Sequence, residues 1–397
     1  MGIGFPFCAI FECMITRLIE QKLLKMATKF PVIAITGPRQ SGKTTLCKKI
    51  FKGYTYVSLE NPDLKHFAES DPKGFMEEYN NKVIIDEVQN VPELFSYMQG
   101  VVDETSQTGQ FILTGSQNFL LLEKITQSLA GRVYLYHLLP FSYIEIKPQY
   151  KPSLLSAIFK GGYPRIFDKK IDPVDFFPSY VQTYLERDVR SILNVKDITL
   201  FSSFLKICAG RIGQLFNSSS ISNELGIDHK TVKRWLTLLE ASFVLFRLQP
   251  WHTNFNKRLV KSPKIYFYDT GLACYLLGLR KQEEIKTHFA NGLLFENYII
   301  TEYVKNTWNQ GNSLSSFFWR DSKGKEIDLL IEKGKQLKIV EIKSAKTISP
   351  NFFKGVEYFE KIASEYSIQK YIVYGGDEMR KQFNTQILPW NKIDKLG

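Results

Sequence analysis

Residues 37–44 read GPRQSGKT, the pattern G-x-x-x-x-G-K-[ST]. Such a segment suits a polyphosphate: glycines let the backbone turn tightly and aim N–H groups inward, and the helix that starts there adds its positive end. Gly37 and Gly42 permit the turns, with Pro38, Arg39, Gln40, Ser41 and Thr45 completing the cradle. Lys43 is expected to neutralise the β- and γ-phosphates, and the Thr44 hydroxyl to ligate magnesium, so ATP and Mg2+ are the expected ligands. Residues 82–89, KVIIDEVQ, add three apolar strand positions followed by two acids, a Walker B pattern. Asp86 is the expected second holder of the magnesium shell, and Glu87 the group that orients or deprotonates an attacking water. Transfer between nucleotides needs only the Asp, whereas a following Glu suits hydrolysis. A third run, QFILTGSQN at 110–118, ends in small polar residues. Ser116 or Asn118 can reach the γ-phosphate or the water from there, with Thr114 ranking behind them. Arg132, in SLAGRV, is a candidate arginine finger acting in its own subunit or in a neighbour, and equally suits a structural surface role.

A second constellation lies near the C-terminus. KEIDLLIE (325–332) sets Asp328 in an apolar strand, and IVEIKSA (339–345) sets Glu341 and Lys343 two residues apart, hence on one face. A preceding helical segment, GLLFENYIITEYV, carries Glu296. Order and spacing resemble the helix–strand–strand–strand–helix–strand core of PD-(D/E)xK nucleases. That resemblance implies a divalent cation on Asp328 and Glu341, with help from Glu296 or the Ile342 carbonyl. Lys343 would then position water or stabilise charge developing on phosphate. Oxygen-only ligands imply Mg2+ or Mn2+ at this second site. Glu326 shares a face with Asp328 and can replace it as ligand. E-x-K is common at strand edges, so an idle site is the competing reading.

Between these lies ISNELGIDHKTVKRWLTLLEASFVLFRLQPW (221–251). Gly226 separates a short helix from a second one, about 228–240, in which Val232, Trp235, Leu236 and Leu239 fall on one face. His229, Lys230, Lys233 and Arg234 fall on other faces, and FVLFRLQPW resembles a wing strand. The module reads as a winged helix: a DNA reader, or a lid or dimerisation module. Upstream, YVQTYLERDVRSIL (180–193) reads as an amphipathic helix with Arg187, Asp188 and Arg190 on its polar side.

These residues need elements to hold them. Short apolar runs at 31–36, 54–59, 82–87 and 110–116, separated by helix-like stretches, predict an α/β parallel sheet. The expected organisation is 1–148, a P-loop NTPase domain; 149–262, a helical lid and winged-helix domain; and 263–397, a nuclease-like α/β domain. Lys plus Arg exceeds Asp plus Glu by +12, which favours a polyanionic partner, DNA before RNA. Charged residues at 23% and hydrophobic ones at 44% exclude a largely disordered chain. Five scattered Cys and five scattered His exclude a disulfide framework and a zinc ribbon, and point to a reducing, cytoplasmic setting. No run of 18 apolar residues occurs, so no membrane span is expected. Residues 1–13 make a poor signal peptide; an amphipathic cap and an over-extended start upstream of Met14 both fit.

Together GPRQSGKTTL, IIDEVQ, LTGSQ, SLAGRV, GGYPR (161–165), YLERDV, KEIDLLIE and VEIKSA resemble a family of prokaryotic ATP-binding proteins. In that family an AAA-type P-loop ATPase precedes a C-terminal region of unknown function that looks like a winged helix and a restriction-endonuclease-like domain. The resemblance covers nearly the whole chain from Met14; only 1–13 departs from the pattern. It implies an ATP-binding and ATP-hydrolysing cytoplasmic protein, with a homo-oligomer as a further expectation. The alternative is a nucleotide-dependent switch or DNA-binding regulator whose nuclease-like domain is inert.

Overall fold

The computed structural model describes residues 14–116, 128–185, 198–251 and 261–396. Residues 1–13, Asn118, Arg187, Asp188 and Arg190 lie outside the described residues. The chain divides into two compact units: Met1–Phe141 with Ala241–Phe243 and Trp308–Asn312, and Ser142–Glu240 with Val244–Thr307 and Ser313–Gly397.

The first unit is built on α1 (Glu20–Ala27), β1 (Val32–Thr36), α2 (Lys43–Ile50), β2 (Thr55–Ser58), α3 (Pro62–Ser70), α4 (Pro72–Glu78), β3 (Val83–Asp86), α5 (Leu94–Thr105), β4 (Phe111–Gly115) and β5 (Val133–His137). All five strands run parallel in the order β2-β3-β4-β1-β5. β1, β3 and β4 are buried at every position, as continuous Val/Ile/Leu-rich runs must be when helices cover both faces. Alternation along each strand splits the core in two. Val32, Ala34, Val83, Ile85, Phe111 and Leu113 pack with Phe75, Leu94 and Met98, whereas Ile33, Ile35, Ile84 and Ile112 pack with Leu23, Leu46 and Cys47. The register Val32↔Phe111 and Val83↔Phe111 brings the C-terminal ends of β1, β3 and β4 to one edge. Because β4 lies between β1 and β3, Ser116 at its end falls between the Gly37–Thr44 loop and the Asp86–Glu87 pair. Open parallel sheets bind ligands at that edge.

The second unit begins with short helices α6 (Tyr143–Tyr150), α7 (Leu154–Lys160), α8 (Pro164–Asp168) and α9 (Pro173–Tyr180). Next come α10 (Ile198–Gly210), α11 (Ser218–Leu225), α12 (His229–Ala241), β6 (Leu245–Pro250), β7 (Lys264–Phe267), α13 (Thr270–Leu276) and α14 (Asn291–Asn309). The remaining elements are β8 (Ser316–Arg320), β9 (Glu326–Lys333), β10 (Gln336–Lys343), α15 (Lys354–Ile362), β11 (Ser367–Tyr374), β12 (Arg380–Gln382) and β13 (Thr385–Pro389). The eight strands form one mixed sheet, β12-β13-β11-β10-β9-β8-β6-β7. α11 ends at Gly226, whose φ of 67° is left-handed, and Asp228 caps α12 by accepting from the Lys230 and Thr231 N–H groups. Val232, Trp235, Leu236 and Leu239 are buried, with Trp235 against Phe201 and Phe204, while His229, Lys230, Lys233 and Arg234 are exposed. The antiparallel hairpin β6–β7 is continuous with the C-terminal sheet, because β6 pairs with β8 at Gln249↔Phe317 and Pro250↔Phe318. Against that sheet α15 buries Val356 and Phe359 on Trp319, Ile327, Leu330 and Ile339. Among the described residues no helix is long and apolar enough to cross a membrane.

Candidate nucleotide site and carboxylate cluster

The loop after β1 is shaped by two glycines. Gly37 has φ +149°, and a Cβ there would lie 2.1 Å from the Leu138 carbonyl oxygen, so no side chain fits. Gly42, φ 91°, turns the chain into α2 and sets Lys43 and Thr44 on its first turn. Gln40 also takes a left-handed φ, 61°. Ser41 is fully buried, and its Oγ meets no hydrogen-bond partner among the described residues. Arg39 lies 3.7 Å from Glu60, and Thr45 is exposed. Lys43 is 6% exposed, and its Nζ donates to the carbonyls of Gly37 (3.0 Å) and Pro38 (2.9 Å). Burial lowers the Lys43 pKa to about 8, against the opposing pull of Glu87 and Asp86.

Asp86 ends β3 buried and fully engaged. The Thr44 hydroxyl donates to it at 2.9 and 3.2 Å, the Tyr56 hydroxyl at 2.7 Å, and the Thr114 hydroxyl also donates to it. Glu87 comes next in a left-handed conformation, φ 55°. Its Oε2 accepts from Ser116 Oγ at 2.9 Å, from the Ser116 N–H at 3.3 Å and from the Gln89 amide. Lys43, Thr44, Asp86, Glu87 and Ser116 therefore meet at one edge of one sheet. The Thr44 and Asp86 donors are oxygens only, which fits magnesium.

Arg132 does not join them. It precedes β5 at the opposite edge, where its carbonyl accepts from Val32 N–H, and a five-residue strand of about 16 Å separates it from the loop. Its guanidinium holds Asp103 on α5 through two bonds, 2.5 and 2.9 Å.

In the second unit the acids of β9 and β10 also converge. The register Gln336↔Lys333 to Val340↔Leu329 makes Glu341 next in line with Asp328. Lys343 Nζ lies 2.6 Å from Glu341 Oε1 and 3.7 Å from Asp328 Oδ2, and Asp328 Oδ2 accepts the Ile342 N–H at 2.7 Å. Burial next to Asp328 pushes the Glu341 carboxyl up to about 8. Glu296 on α14 is likewise raised by burial, against the pull of Lys264. Carboxylate oxygens of Glu296, Glu326 and Asp328 lie within 4.8 Å of one another, the span of a single cation. A divalent ion does not fit these donors as they stand. Lys264 Nζ is already bonded to Glu296 Oε1 at 3.1 Å and to Glu326 Oε1, and the Tyr266 hydroxyl donates to Glu296 at 2.5 Å.

Sequence reasoning missed Lys264, Tyr266, Tyr56 and Gln89. Lys264 and Tyr266 did leave a signal: they alternate in an otherwise apolar strand and so share a face. Tyr56 and Gln89 left none.

The matching family models divide the chain into three: an AAA domain over residues 29–147, a domain of unknown function (DUF8612) over 151–283, and a domain of unknown function (DUF4143) over 291–393. The uncharacterized proteins Mb2031c of Mycobacterium bovis and Rv2008c of Mycobacterium tuberculosis are each 30% identical to this chain, over 98% of it and 88% of their own length. Among solved structures, the Walker-type ATPase PABY2304 of Pyrococcus abyssi aligns at 15% identity and a TM-score of 0.48, covering 67% of this chain and 97% of that one. The N-terminal unit thus holds an AAA-type P-loop ATPase domain, the type of domain that binds ATP.

Proposed function

We propose, from the premise that the chain belongs to the family of the uncharacterized mycobacterial proteins Mb2031c and Rv2008c, that it is a magnesium-dependent ATPase whose nucleotide state is coupled to a DNA-binding, nuclease-like C-terminal region. One observation carries the ATPase reading: Thr44 bonded to Asp86 and Ser116 bonded to Glu87, side by side where β1, β3 and β4 end. Lys43 neutralises the terminal phosphates, and the backbone of Gly37–Thr44 wraps them. Thr44 and Asp86 hold magnesium, which supplies charge neutralisation on the phosphate oxygens. Glu87 takes the proton of the attacking water, and Ser116 fixes the orientation of its carboxylate. Arg132 serves as a finger toward a neighbouring copy, which makes the working unit a homo-oligomer.

What supports a DNA partner is the exposed row His229, Lys230, Lys233 and Arg234 on α12, behind a glycine turn and ahead of a β-hairpin, together with the +12 net charge. The β8–β11 sheet with α14 and α15 supports a nuclease-like fold, and its acids are assigned no cutting step.

Radiolabelled ATP binding and phosphate release test the first part. Lys43→Ala should abolish binding. Glu87→Gln should bind ATP with near-native affinity and lose turnover by about 10²-fold or more. Undiminished hydrolysis by Glu87→Gln would refute the assignment. A nuclease assay with Mn2+ on DNA and RNA tests the second: products that vanish in Asp328→Ala would make the region a working nuclease instead.

A further inference from the structure

The carboxylate cluster carries its own cations. Four acids, Glu296, Glu326, Asp328 and Glu341, face three basic groups. Lys264 bridges Glu296 and Glu326, Lys343 bridges Asp328 and Glu341, and Arg320 takes the remaining Glu326 oxygen at 3.1 Å. Lys264 is the innermost of the three. It is 2% exposed, its ammonium lies 5.5 Å from the centre of the Phe318 ring, and it comes from β7, far outside the strand pair that bears the acids.

We propose that Lys264 is the resident cation of this cluster, holding the Glu296–Glu326–Asp328 group in place without a divalent ion and excluding one. The reason is competition for the same atoms. Magnesium or manganese in this group would need one oxygen each of Glu296 and Glu326 at about 2.1 Å, yet Lys264 and Arg320 hold the two Glu326 oxygens, and Lys264 and Tyr266 both donate to Glu296 Oε1. Such an ion and the ammonium would share both carboxylates and stand a few ångströms apart with little solvent between them. Burial works against the ammonium, but Glu296, Glu326 and Asp328 outweigh it and hold Lys264 protonated well above its ordinary range. The sheet then keeps the outline of a cutting site without the ion that cutting requires. Lys264 plays this part whether or not the N-terminal unit hydrolyses ATP.

The test uses the full chain, no nucleotide, and MnCl2 as probe. Calorimetry on the wild type should show no Mn2+ binding that Asp328→Asn removes. Lys264→Gln should gain a site at least tenfold tighter than any in the wild type, lost again in Lys264→Gln/Asp328→Asn, while Lys264→Arg gains nothing. Losing one partner of a buried pair leaves the acids uncompensated. Lys264→Gln should therefore melt earlier, and Mn2+ should raise its melting temperature but not that of the wild type. Should Lys264→Gln not fold, Lys264→Gln/Glu341→Gln, which keeps the Glu296–Glu326–Asp328 carboxylates and removes one neighbouring acid, is read in the same way. The proposal is overturned if the wild type binds Mn2+ through Asp328, or if neither Lys264 variant gains a site.

Discussion

Lys43 combines two demands that oppose each other: it must be charged to hold phosphate, and it is buried. Free, its pKa lies near 8 against 10.5 for an ordinary lysine. Between those values the folded chain holds fewer protons than the unfolded one, so the penalty for a buried charge is fully present below pH 8 and is relieved as pH rises toward 10.5. ATP reverses the balance, because phosphate favours the ammonium. Binding at pH 9 should therefore take up close to one proton and weaken as pH rises, by up to tenfold per unit. Calorimetry in two buffers of different ionisation enthalpy measures the uptake; none at pH 9 would mean Lys43 is already charged. Gly37 is constrained by space instead. Gly37→Ala drives a methyl to 2.1 Å from the Leu138 carbonyl and should destabilise the unit by about 1–3 kcal/mol, read by urea denaturation. Native stability in that variant would show that the loop tolerates a shift.

At the scale of elements, α12 has two faces with separable roles. Trp235 packs on Phe201 and Phe204, so Trp235→Ala should cost about 3–5 kcal/mol of stability. Lys230, Lys233 and Arg234 are exposed, so replacing all three by Ala should leave the melting temperature within a degree or two. It should lower duplex affinity and flatten its dependence on salt, by about one unit of log–log slope per lost phosphate contact. Fluorescence anisotropy across a salt series measures this. An unchanged slope would remove α12 from the interface. Asp228 shows how locally such an element is specified: its carboxylate accepts from Lys230 N–H, Thr231 N–H and the Thr231 hydroxyl, which starts α12 where the sequence places an Asp after a glycine turn.

For the molecule as a whole, coupling is reciprocal. If ATP changes duplex affinity by some factor, duplex must change ATP affinity by the same factor. Glu87→Gln, which should hold ATP without consuming it, allows both to be measured; equal duplex affinity with and without ATP would leave two independent sites and sink the coupling. The Arg132 assignment is also a whole-assembly matter. It is paired with Asp103 at the edge away from its own loop, so the proposed finger role is toward a neighbouring copy. Mixing Arg132→Ala with Lys43→Ala subunits should restore part of the ATPase activity that each lacks alone. No recovery on mixing would return Arg132 to a structural role.

Much of this was legible in the sequence because it is local. Gly37, Gly42, Lys43 and Thr44 are specified by backbone conformations that few residues adopt and by a helix that begins beside them. The buried strands announced themselves as runs of Val, Ile and Leu, and α12 as a 3- and 4-residue apolar spacing. The grouping of Asp328, Glu341 and Lys343 came from the two-residue period of adjacent strands. What sheet order and long-range register decide has no local period to betray it. Only the folded chain brings Tyr56 and Thr114 to Asp86 and ties Arg132 to Asp103. Only the folded chain, through the pairing of β6 with β8, carries Lys264 from a hairpin into the acids of a distant strand pair. A buried charge is settled by whatever partner the tertiary structure delivers, and here that partner lies 32 residues from Glu296 and 62 from Glu326.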